Sequence, residues 1–136
     1  MNTAANVVQK SQQKDAQPGP ANAAKHKVNG WQDICAIDEI VLNTGMAARI
    51  EGRQVAVFRT DEGVFAIANH DPFSGANVLS RGIIGDVGGK LVVASPVYKQ
   101  HFCLRTGICL EDDSVSVSIW PAQARDGRIL ISNSEA

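Results

Sequence analysis

Few side chains in this sequence can do chemistry, and most stand in two short segments. The chain carries three histidines, three cysteines and fourteen acidic residues. Asn69-His70-Asp71-Pro72-Phe73-Ser74-Gly75-Ala76 is the first segment, and Ser95-Pro96-Val97-Tyr98-Lys99-Gln100-His101-Phe102-Cys103-Leu104-Arg105-Thr106-Gly107 the second. His70, Asp71, His101 and Cys103 offer nitrogen, oxygen and sulfur donors, which a free-standing metal-dependent enzyme would use. Their separation matches no established ligand set, and hydrogen-bonded or surface histidines account for them better. Cys35, Cys103 and Cys109 are an odd number with no C-x-x-C pair, which fits reduced thiols better than a disulfide framework. Cys103 and Cys109 flank the turn around Gly107, so a redox switch is conceivable if one thiol is acidic and accessible; idle thiols are the plainer reading. No Ser-His-Asp, Cys-His or paired-carboxylate grouping can be assembled from the spacing. Gly82, Gly85, Gly88 and Gly89 lack the strand–loop–helix surroundings of a nucleotide site and read as turns.

The composition narrows the function classes. Thirteen basic residues against fourteen acidic ones leave a net charge of -1, with no basic field to attract nucleic acid. No apolar run is long enough to cross a membrane, and Met1-Asn2-Thr3-Ala4-Ala5-Asn6 has neither the positive start nor the apolar stretch of a secretory signal, so a cytoplasmic protein is expected. A length of 136 residues with 44% hydrophobic side chains suffices for one domain with its own core.

The elements that must position these residues are short strands. Residues 1–29 carry almost no large apolar side chains, and Pro18-Gly19-Pro20 interrupts any long helix, so a flexible tail is expected there. The domain is expected over 30–133. Val55 and Val57 point to one face, Ala56 and Phe58 to the other; Val64-Phe65-Ala66-Ile67 repeats the theme after the turn Thr60-Asp61-Glu62-Gly63. Leu91-Val92-Val93-Ala94 is apolar on both faces and reads as a central strand. Val115, Val117 and Ile119 alternate with Ser114, Ser116 and Ser118, predicting a strand with one wet face. Arg125-Asp126-Gly127-Arg128 predicts a hairpin returning through Ile129-Leu130-Ile131. A short helical turn fits between Asp38 and Met46, with Asp38 placed to cap it. The pattern predicts an all-β antiparallel sandwich or barrel.

The two segments and the strand pattern together resemble the Rieske-type ferredoxin fold from Trp31 to about Ser132. A Rieske centre takes two cysteine thiolates on one iron and two histidine nitrogens on the other. On that pattern Asp71 and Ser95 stand at the cysteine positions, and Phe73 and Tyr98 at the histidine positions. Gly75-Ala76, Phe102-x-Leu104-x-Thr106-Gly107, Trp120-Pro121 and Asp126-Gly127 keep the frame. More narrowly, Asn69 to Ser74, Asn77-Val78-Leu79-Ser80-Arg81-Gly82 and Ser95 to Phe102 resemble the small subunit of NADH-dependent assimilatory nitrite reductase, a family that has this fold and lacks the cluster. Cys103 departs from it, standing where an acidic residue is expected.

That resemblance implies a cofactor-free accessory chain, with no catalytic residues of its own. It would support a large subunit that carries FAD, sirohaem and an iron–sulfur cluster and reduces nitrite to ammonium in nitrate assimilation. The loops 71–76 and 95–101 would face that partner, with Arg81, Lys99 and His101 as contacts, although ordinary surface charge explains Arg81 and Lys99 equally well. Donor chemistry agrees independently: phenyl offers no donor, the Ser95 and Tyr98 hydroxyls stay protonated near neutral pH, and one hard carboxylate cannot hold two irons. Phe73 and Tyr98 are expected to fill the volume of the lost cluster as a packed plug, and truncating a buried Phe73 would cost about 3–5 kcal/mol. A cluster-free scaffold for another multisubunit oxidoreductase, such as a ring-hydroxylating system, is a second reading, and a mononuclear-metal enzyme a third.

Overall fold

A computed structural model describes Lys27–Val28 and residues 30–136. The tail expected over 1–29 otherwise lies outside the described residues. The chain divides after Asp33. In the first unit, β1 (Lys27–Val28) pairs antiparallel with the start of β2 (Trp31–Ala36), Val28 opposite Trp31.

The second unit, Ile34–Ala136, is built around a sheet buried on both faces. Its strands are β3 (Thr44–Ile50), β4 (Arg53–Thr60), β5 (Gly63–Ala68) and β9 (Ile119–Trp120), hydrogen-bonded in that order. Side chains alternate along β4 as the sequence requires. Val55 and Val57 join Ile34, Ile50, Val64, Trp120, Ile129 and Ile131 in one core. Ala56 and Phe58 join Ile67, Leu79, Leu91, Val93, Phe102 and Leu104 in the other. The first core lies against β10 (Ala122–Arg125), β11 (Arg128–Ser132) and the Ile34–Ala36 part of β2. The second lies against β6 (Ile83–Val87), β7 (Lys90–Ala94) and β8 (His101–Cys103). Leu91–Ala94 is the central strand of this third sheet, as its apolar run predicts.

Turn chemistry fixes the registers. The β10–β11 hairpin turns at Asp126 (φ 53) and Gly127 (φ 76), both left-handed as a tight two-residue turn demands. A 3-10 turn at Ile37–Glu39 overlaps only the start of the stretch where a helical turn is expected, β3 takes its end, and Asp38 does not cap the turn. Glu39 accepts the Ala36 N–H at 3.0 Å, and Asp38 lies 3.9 Å from the Arg59 guanidinium. The wet-faced strand expected over Val115–Ile119 is also replaced. Only Ile119–Trp120 joins a sheet. Upstream, Val117 N–H donates to the Gly107 carbonyl at 2.9 Å and Ser118 accepts from Ala68 N–H at 2.8 Å, so the segment passes from one neighbour to another.

At Gly82 the chain leaves a 3-10 turn (Leu79–Arg81) and enters β6 against the end of β7. A Cβ there would meet the Ala94 carbonyl oxygen at 2.4 Å and Val93 Cγ2 at 2.6 Å, whereas one at Gly85 would meet nothing within 4 Å. Gly82→Ala is therefore expected to destabilise the domain by roughly 1–3 kcal/mol, and Gly85→Ala to stay within about 0.5 kcal/mol of the parent, in urea-denaturation midpoints.

Candidate functional site

The third sheet brings the two sequence segments together at one end. Strands β6, β7 and β8 are antiparallel, with Ile83 opposite Ala94 and Ala94 opposite His101. That row closes the sheet where the loop 95–100 leaves β7 and returns as β8. The loop 71–76 approaches the same end through a buried contact. The Ser95 hydroxyl donates to Asp71 Oδ2 at 2.5 Å, and both side chains are shut off from solvent. The two cysteine positions of the Rieske frame are thus joined directly to one another.

Each loop is wound around its member of this pair. Asp71 Oδ1 accepts the Phe73 N–H at 2.9 Å and the Ser74 N–H at 3.4 Å. The Asp71 N–H donates to the Ala76 carbonyl, and the Asp71 carbonyl accepts from Gly75 N–H, each at 2.8 Å. In the second loop Ser95 N–H donates to the Gln100 carbonyl at 2.9 Å, and Lys99 N–H to the Ser95 carbonyl at 3.1 Å. The Ser95 oxygen also accepts the Val97 N–H at 3.3 Å. Burial pushes the Asp71 carboxyl upward, but bonds from Ser95, Phe73 and Ser74 outweigh it and hold the group below the usual aspartate value. A carboxylate buried with this many donors is stable as an anion and needs no metal to neutralise it.

Below the pair, Asn69 ties the first loop to the central sheet. Its side-chain amide donates to Gln54 Oε1 at 3.0 Å and to the Asn77 carbonyl at 3.2 Å, while its Oδ1 accepts the Ser80 N–H at 2.7 Å. Its motif position gave no hint of this role. Glu111 was likewise unmarked by any pattern. It accepts the His101 N–H at 2.8 Å and lies 2.6 Å from His101 Nδ1. Despite some burial, those His101 bonds lower the Glu111 carboxyl.

The two histidine positions part company. Phe73 is half-buried and packs on Phe102, ring centroids 6.2 Å apart at 47°. Tyr98 is 62% exposed and plugs nothing, which corrects the expectation of a two-ring plug. Lys99 has φ 70, a left-handed turn that reverses the loop immediately after Tyr98 and leaves its ring at the tip. Arg81 and Lys99 are exposed at this end, and Lys99 Nζ donates to the Pro96 carbonyl at 3.1 Å.

These surroundings do not fit a [2Fe–2S] cluster. Asp71 and Ser95 satisfy one another, Phe73 has no donor, and Tyr98 points its phenol outward. Nor does the structure assemble the mononuclear site considered from sequence. His70 is held by Asn77 Oδ1 at 3.1 Å, His101 by Glu111 and Asp71 by Ser95. Among the described residues no group of three or more His, Cys, Asp or Glu side chains could hold a metal ion.

Cys35, Cys103 and Cys109 are buried, and none of them is in a disulfide. Phe102 and Cys109 face one another across a β-bridge and both enter the second core, so alternation turns Cys103 to the opposite side. Burial raises both thiols; at Cys103 the Thr106 hydroxyl, the Arg105 and Thr106 N–H groups and Lys90 reverse the shift, while at Cys109 burial prevails. A bond between side chains on opposite faces is closed to this hairpin.

Comparison with known proteins adds the following. Residues 30–132 match the family model of the Rieske-like [2Fe-2S] domain. The nitrite reductase (NADH) small subunit of Salmonella typhimurium is 50% identical over 99 residues, covering 71% of this chain and 92% of that protein. A crystal structure of a putative NADH-dependent nitrite reductase small subunit from Mycobacterium tuberculosis superposes with a TM-score of 0.73 at 46% identity, covering 78% of this chain and 96% of that one. The nitrite reductase [NAD(P)H] large subunit of Klebsiella oxytoca is 42% identical over 105 residues, which are 77% of this chain and 11% of that protein.

Asp71→Asn removes a charge-assisted acceptor from a sealed contact and is expected to cost roughly 1–3 kcal/mol at neutral pH. The folded carboxyl titrates below its unfolded value. Its stabilisation is therefore complete above about pH 4 and is lost as the pH falls through the folded value. Urea midpoints measured from about pH 7 to about pH 3 should show the difference between parent and variant narrowing on the acid side. Phe73 and Tyr98 provide a second check. Half-burial reduces the expected cost of Phe73→Ala to roughly 1–3 kcal/mol, whereas Tyr98→Ala should move the midpoint by less than about 0.5 kcal/mol.

Proposed function

This chain belongs to the Rieske-like [2Fe-2S] domain family, and within it to the small subunits of NADH nitrite reductase; on that footing we propose that it serves as the cofactor-free small subunit of a cytoplasmic enzyme reducing nitrite to ammonium. The observation that carries the reading is near-complete coverage of small subunits at about half identity, 92% of the Salmonella typhimurium protein. The Klebsiella oxytoca large subunit supports the choice of partner, because a segment similar to this chain lies within that longer polypeptide. Among the described residues no helix is long and apolar enough to cross a membrane.

In this reading the large subunit holds FAD, sirohaem and an iron–sulfur cluster and performs the electron transfer and nitrite chemistry. The small subunit contributes a shaped surface. The loops 71–76 and 95–101 form its partner-facing end, with Arg81, Lys99 and His101 as contacts. Support comes from their grouping: all three side chains belong to the end of the third sheet that the Asp71–Ser95 bond closes. The four positions that would ligate a redox centre carry neither thiolate nor imidazole, which supports a small subunit that holds or orients its partner rather than one that relays electrons.

Co-expression of the tagged chain with the large subunit of the same organism tests the assignment. The two are expected to co-purify, and NADH-dependent nitrite consumption is expected to fall severalfold when the small subunit is omitted. The isolated chain should contain only substoichiometric iron and acid-labile sulfide. Recovery of a different oxidoreductase, or full activity without the chain, would overturn the assignment.

A further inference from the structure

Resting on the assignment of a large subunit as partner, the geometry points to a particular docking face: Ile83, Val97 and Tyr98 form an apolar centre, flanked by Arg81 and Lys99, that seats in an apolar recess of the large subunit edged with carboxylates.

Three observations meet at this end of the third sheet. The first is exposed apolar area. Ile83 is 75% exposed, Tyr98 62% and Val97 44%. Ile83 opens β6 in the terminal row with Ala94 and His101, and the loop carrying Val97 and Tyr98 springs from that row. Isolated exposed apolar side chains are common on any surface, but several at one end of one sheet mark a contact site. Tyrosine is among the side chains most often found as an anchor in a partner's pocket, and apolar neighbours help to exclude water around it.

The second is charge. The chain as a whole has one more acid than it has bases. At this end Asp71 is sealed from solvent against Ser95 and Glu111 lies against His101, whereas Arg81 and Lys99 are exposed. The acid on β6, Asp86, accepts the Gly89 N–H at 3.0 Å in the hairpin at the strand's other end. Arg81 and Lys99 thus stand as two exposed cations beside the apolar centre, which carboxylates on the partner would complement.

The third is preorganisation. Lys99 sits in a left-handed conformation within a loop pinned by Ser95 to Gln100 and Lys99. The Asp71–Ser95 bond fixes the loop base. Anchors held this way lose little freedom on docking.

The test measures Kd between the folded small subunit and the purified large subunit. Ile83→Ser and Tyr98→Ser are each expected to weaken binding about tenfold or more. Val87→Ser, at the far end of the same strand and 43% exposed, and Val41→Ser, 71% exposed on another turn, should change Kd by less than about twofold. The double charge reversal Arg81→Glu with Lys99→Glu should weaken binding more at low salt than at high salt. Thermal melts confirm that each variant is folded. Unchanged binding by the Ile83 and Tyr98 variants, or equal losses at Val87 and Val41, would overturn the face while leaving the partnership intact. Absence of binding by the unsubstituted chain would overturn the partnership itself.

Discussion

A carboxylate and a hydroxyl, both sealed from water, join the two loops at one end of this molecule. The contact between Asp71 and Ser95 spans 24 positions in the chain, and the backbone turns of both loops are arranged around it. A buried anion of this kind is tolerable only when its oxygens are satisfied, and here the donors come from Ser95, Phe73 and Ser74. A carboxylate and a hydroxyl, 2.5 Å apart, stand where a two-iron cluster needs thiolates, and Phe73 holds a phenyl ring where it needs an imidazole. The frame of a Rieske-like domain is kept while the donor types of its cluster are missing from the four ligand positions.

The rest of the fold serves to deliver this end. Because both faces of β4 are covered, the central sheet carries one core on each side. The second core, through Leu79, Phe102 and Leu104, anchors the segments that leave for the loops. Asn69 then fastens the first loop to β4 through Gln54, and Glu111 fastens the start of β8 through His101. What stands outside these ties is a small apolar tip with a basic margin. Packing and electrostatics thus divide the labour: one holds the loops, the other dresses the surface they present.

Much of this was legible in the residues, for identifiable reasons. Alternation along Val55–Phe58 reports its two faces because a strand has a period of two, and Asp126-Gly127 reports its hairpin because the turn demands left-handed backbone. The degenerate ligand positions were legible because donor type is a property of the side chain alone. Other features depend on distant partners. The alternation of Val115, Val117 and Ile119 is real, but periodicity names no neighbour, and this segment bonds first to Gly107 and then to β5. Tyr98 has the volume to fill a cradle, yet the left-handed Lys99 that follows decides where the loop turns. Glu111 acts on a histidine ten positions away with no motif between them.

Closing the loops with a carboxylate and a hydroxyl has a bearing on how the protein matures. Every atom of that closure arrives with the polypeptide itself, so the contact is made from side chains alone, with neither metal ion nor thiolate in it. It contains neither of the components, iron and thiolate, through which iron starvation or peroxide dismantles a cluster.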